Sequence, residues 1–135
     1  MENKQNIFKF ENIEHEIYNY KVTEYYSVFI KLYHQNVKNK YFELYPTGRL
    51  IIKEGYMWDG ATCAIDTANF MRGSCVHDVL CQMLRERMMP EDEKEFYKYW
   101  RISTSALLTI CKEDGMWWIR RLWVRIGVNL NGRFD

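Results

Sequence analysis

With 135 residues, 47% of them apolar and 16% aromatic, the chain is long enough to bury one real core, short for two, and too apolar for disorder. Nineteen basic against eighteen acidic residues leave a formal net charge of +1, which makes nucleic acid or an anionic membrane an unlikely partner on electrostatic grounds. No apolar run approaches the roughly 20 residues that span a bilayer, and Met1 to Asn6 lack the apolar stretch of a secretory signal, so a cytoplasmic protein is expected.

Residues 1–24 read as a variable lead-in, irregular or strand-like, with Ile7, Phe8, Phe10, Ile13, Ile17, Tyr18 and Tyr20 scattered among charges. Strands and a loop follow over 25–62. Tyr25 to Tyr33 is rich in β-branched and aromatic residues, His34 to Lys40 turns the chain, and Tyr41 to Tyr45 alternates. Pro46-Thr47-Gly48 supplies the next turn, Leu50 to Lys53 returns, and Gly55 leads into Trp58-Asp59-Gly60.

Helices are expected over 72–127. Ser74 is positioned to cap the first, through Arg87, with Cys75, Val76, Val79, Leu80, Met83 and Leu84 as its apolar stripe. Pro90 opens the second, whose first turn carries Glu91, Asp92 and Glu93 at the positive end of the dipole. It bears Phe96, Tyr97, Trp100, Leu107, Leu108 and Ile110 and should stop near Asp114-Gly115. A third is predicted from Met116 to about Ile126, with a tail from Gly127. Strands first and helices after give an α+β fold: a single domain, with an N-terminal antiparallel β-meander and three C-terminal helices on one face of a small sheet.

Two pieces place ionisable groups inside apolar sequence, where an unpaired charge is expensive to bury. They are Trp58-Asp59-Gly60-Ala61-Thr62 and His77-Asp78. Neighbouring His and Asp on a helix cannot bond in one plane, yet both can reach a point off the helix surface, as metal ligands do. A third carboxylate from Asp59 would suit a divalent ion that accepts nitrogen and oxygen, able to activate water or polarise a carbonyl or phosphoryl group. The structural alternative is a lock: His77 bonds Asp59 through one ring nitrogen and a backbone carbonyl through the other, or Asp59 simply closes an Asx turn.

Other constellations are weaker. Cys63, Cys75, Cys81 and Cys111 form no Cys-x-x-Cys pair and read as small buried hydrophobes. Zinc on Cys75, His77 and Cys81 is disfavoured because those offsets spread the three around the helix axis. The His-Asp doublet of the HD metallophosphohydrolases needs an earlier histidine on a preceding helix, and His34 lies in a turn. There is no serine elbow, phosphate-cradling glycine loop or His-Glu-x-x-His motif. The tryptophans and arginines of Trp117 to Arg125 could stack on bases or lie on a membrane. A core stripe of Ile119, Leu122, Trp123 and Ile126, with solvated arginines and Trp118 over Arg121 or Arg125, explains them better.

Three separated pieces in order resemble the DUF1353 family, small bacterial and phage proteins of unassigned function. They are Gly55-Tyr56-Met57-Trp58-Asp59-Gly60-Ala61-Thr62, His77-Asp78-Val79-Leu80, and Glu93 three residues before Phe96. The likeness spans roughly Tyr41 to Gly127. Against the family pattern, Thr62 stands for serine, Ala64 for proline, Cys81 for tyrosine and Glu93 for aspartate. The resemblance implies a phage or prophage origin, and with it a host cytoplasm, but no reaction.

Two functions are expected from this combination. One is a small hydrolase with a divalent metal ion as candidate cofactor. Its ligands would be Asp59, His77, Asp78 and Glu93, with His77 as ligand or general base and Thr62 as hydroxyl donor. The other is a non-catalytic phage accessory protein that binds a host or virion protein, suggested by ten Tyr, seven Phe and five Trp.

Overall fold

The computed structural model describes residues 7–32, 36–59, 68–86 and 93–116, together with Arg121 and Val124. The chain divides into two compact units, Met1–Asp59 and Gly60–Asp135. In the described residues the first is built of strands and the second of helices, so the α+β class holds.

Seven short strands make the first unit: β1 (Phe10–Asn12), β2 (Tyr20–Val22), β3 (Tyr26–Phe29), β4 (Val37–Lys38), β5 (Phe42–Leu44), β6 (Arg49–Ile52) and β7 (Met57–Trp58). They form two antiparallel sheets, ordered β1-β2-β7 and β3-β6-β5-β4. The expected meander exists as β4-β5-β6. Strand β3 does not sit beside β4, its neighbour in sequence, but pairs with β6 on the far side.

The register shows what that gains. Tyr26 pairs with Ile52 and Val28 with Leu50, while Phe42 and Leu44 pair with the same two residues from the other side. All six are buried, so three strands lay one continuous apolar face. A slip of one residue would turn that face outward. Two turns fix the register locally. Asn39 Oδ1 accepts from the Tyr41 and Phe42 amides at 2.8 and 2.9 Å, and Gly48, at φ 89°, supplies the left-handed residue after Pro46-Thr47.

The second sheet recruits the lead-in, where the sequence shows no clear alternation. Its reason is aromatic. Phe8, Phe10 and Tyr20 lie 5.8, 5.8 and 5.4 Å, ring to ring, from Trp58, which is fully buried. Phe8 also meets Tyr26 edge-on at 5.1 Å, so one ring joins a residue of each sheet.

The second unit holds α1 (Ala68–Arg85) and α2 (Glu93–Glu113). Helix α1 begins six residues before the expected cap: Ser74 lies inside it, and its hydroxyl donates to the Met71 carbonyl at 3.0 Å. A mid-helix serine that bonds back to its own turn carries the same polarity as a cap, which is why the sequence misleads here. Helix α2 ends where expected. Gly115 adopts φ 91°, its amide donates to the Lys112 carbonyl at 3.0 Å, and the Met116 amide donates to Cys111 at 2.9 Å, a Schellman ending. Pro90, Glu91 and Asp92 lie outside the described residues. So does the third predicted helix, apart from Met116, which follows the α2 cap, and Arg121 and Val124, both helical.

The two helices run antiparallel. Arg72 of α1 grips Asp114 with two bonds of 3.0 Å and Glu113 with one of 2.8 Å, Gly73 meets Leu107 and Cys111, and His77 meets Ser103. Phe70, Leu107, Cys111, Met116 and Val124 close a core beside this seam. A β-carbon on Gly73 would stand 2.9 Å from Cys111 Sγ and 3.1 Å from the Leu107 carbonyl, which is backbone and cannot step aside. Gly73→Ala should therefore destabilise the chain by about 1–3 kcal/mol in urea denaturation, although alanine is the better helix former.

Candidate functional site

Asp59 is set by the residue before it. Trp58 is fully buried, and its carbonyl takes the Asn19 amide at 3.1 Å. Asp59 follows with its side chain exposed, and its own carbonyl accepts Asn19 Nδ2 at 3.0 Å. The tryptophan pins the strand and the aspartate is offered to solvent. Gly60, Ala61, Thr62, Cys63 and Ala64 lie outside the described residues, as does the side chain of Glu93, the first residue of α2.

His77 and Asp78 lie on α1, both half-buried. The imidazole faces α2. Its Nδ1 is 3.3 Å from the Ser103 carbonyl and its Nε2 is 3.4 Å from Cys81 Sγ. A carbonyl can only accept, so Nδ1 carries the proton and Nε2 holds the lone pair; Cys81 Sγ, also 3.9 Å from Nδ1, lies against the ring rather than in line with that lone pair. Ser103 is itself held, its hydroxyl donating to the Trp100 carbonyl at 2.6 Å. Burial pushes the His77 pKa down to about 4, the Arg85 charge adds to the fall, and the bond to Ser103 opposes it. The ring is neutral at physiological pH.

The carbonyl half of the expected lock is thus present, with Ser103 as its partner. From the sequence Cys81 reads as a small hydrophobe; its place beside the imidazole follows from the i, i+4 spacing on α1. Cys75, six residues before Cys81, is fully buried, and burial followed by the nearby Asp78 charge pushes its thiol pKa well up, which makes it a poor nucleophile.

Of the expected ligand set, His77 is the sole nitrogen donor, through Nε2. Among the described residues no three His, Cys, Asp or Glu side chains gather in a metal-holding group. No helix among the described residues is long and apolar enough to cross a membrane. No family model matches the chain, and no curated protein or solved structure is similar to it at a significant level.

A histidine held near pKa 4 against about 6.5 when unfolded gives stability a direction with pH. Between those values the unfolded chain binds the proton and the folded chain does not. The contribution is therefore complete above about pH 6.5 and is lost as pH falls towards 4. Urea denaturation of the wild type and His77→Gln at several pH values isolates it. The stability gap should widen by on the order of 2 kcal/mol from pH 4 to pH 6.5, after allowance for the ring's partial exposure, and then stay level.

Proposed function

We propose that the chain is a non-catalytic binding protein of the phage-accessory kind its sequence resembles, and that its first unit contacts a host or virion protein. One observation carries this reading. Among the described residues the exposed large apolar side chains are Ile7 (76% exposed), Ile17 (66%), Tyr25 (55%) and Phe29 (37%), and all belong to Met1–Asp59.

Tyr25 and Phe29 fall on the same side of β3 as Ser27, opposite the inward Tyr26 and Val28. Phe29 pairs with Arg49, whose Nε donates to the Ser27 hydroxyl at 2.9 Å. Tyrosine, phenylalanine and arginine are among the residue types enriched where proteins meet. β3 is also an edge of its sheet. On this reading His77 serves the fold, and the aromatic surplus of the sequence serves the partner. Affinity capture from host-cell extract, with the folded double variant Tyr25→Ser/Phe29→Ser beside the wild type, tests it. A specific partner protein should be enriched by the wild type and lost from the variant; equal capture by both would sink the reading.

A second reading, the hydrolase with a divalent ion on Asp59, His77, Asp78 and Glu93 and with Thr62 beside it, is favoured by one fact. Asp59 presents an exposed carboxylate from a strand end that a buried tryptophan holds in place. Elemental analysis of the untagged protein and of Asp59→Asn separates the two. The binding reading expects no stoichiometric metal; near-stoichiometric metal that a folded Asp59→Asn variant loses would put the hydrolase first.

A further inference from the structure

Between β1 and β2 the chain makes a turn over residues 13–19. Its base is anchored twice: the Ile13 amide donates to the Asn19 carbonyl at 2.9 Å, and Asn19 is tied to Trp58 and Asp59. Its tip is held by a different device. His15 Nδ1 lies 3.1 Å from the Ile17 amide and 3.3 Å from the Tyr18 amide. Both of those groups are donors, so Nδ1 must carry a lone pair, and the ring must be neutral with its proton on Nε2. An imidazolium has no lone pair to offer: protonated at Nδ1, the ring becomes a donor facing two donors. Ile17, at the tip, is among the most exposed apolar side chains described.

We propose that this turn is a pH-gated contact: neutral His15 holds its tip with Ile17 outward, and protonation at Nδ1 releases it. As a contact it rests on the binding role proposed for the first unit; as a gate it stands on the turn alone. The titratable groups on the turn beside it are Glu14, Glu16 and Tyr18, two carboxylates and a phenol. Tyr18 lies against the imidazole, 5.2 Å between ring centres. The anchored base confines the response to the tip.

Asparagine supplies the control. Its side-chain oxygen accepts the same two amides in an Asx turn and does not titrate. The experiment follows the backbone amides of Ile17 and Tyr18 by NMR in the full chain, with no partner present, from pH 5 to pH 8. In the wild type their shifts should track the titration of the His15 ring. Their exchange with water, corrected for its intrinsic pH dependence, should quicken about fivefold on protonation, as expected for loss of a single hydrogen bond. In His15→Asn both amides should stay protected throughout. Wild-type amides that ignore the His15 titration, or an asparagine variant that follows pH as the wild type does, would overturn the gate. Because no partner is used, failure here is distinct from failure of the capture experiment.

Discussion

Gly73 lets α1 approach α2 until a single added carbon would touch Leu107 and Cys111. One turn further along, the same approach brings the His77 ring to the Ser103 carbonyl. Everything the candidate site can do follows from that contact. The carbonyl fixes the proton on Nδ1, Cys81 packs against the ring, and burial holds the ring neutral. A histidine so occupied is a bridge between helices. Removing it would remove the bond to the Ser103 carbonyl, a change that costs stability.

The parts of this arrangement differ in how far the sequence reveals them. Strands β5 and β6 and the stop of α2 at Gly115 were readable because local rules dominate there: alternation, a proline-glycine turn, a glycine cap. The start of α1 was not, because Ser74 satisfies its hydroxyl on Met71 within the helix and looks no different from a capping serine in one dimension. The second sheet was hidden because β1, β2 and β7 are held by rings packing on Trp58, a long-range cause that periodicity does not record. In the site, the pairing of His77 with a backbone carbonyl could be anticipated as a class of contact. Its identity could not, since Ser103 comes from a helix 26 residues away. Cys81 was legible by spacing and discounted by residue type.

The division of labour that emerges is simple. The helical unit spends its polar side chains internally: Arg72 on Asp114 and Glu113, His77 on Ser103, Ser74 on Met71. The strand unit buries its large aromatics around Trp58 while leaving Ile17, Tyr25 and Phe29 outside. The His-Asp doublet that draws attention in the sequence lies on the helical unit, and the exposed large apolar side chains among the described residues lie on the strand unit.

The claim on which this account turns is that His77 is a neutral bridge protonated on Nδ1. Nitrogen-15 NMR of the imidazole in the full chain tests it directly, since the two ring nitrogens report separately on which carries the proton. The account predicts a single Nδ1–H form that persists unchanged from pH 8 to below pH 5. A ring protonated on Nε2, or one that titrates in the ordinary range near pH 6.5, would contradict it and return His77 to the list of groups free for chemistry.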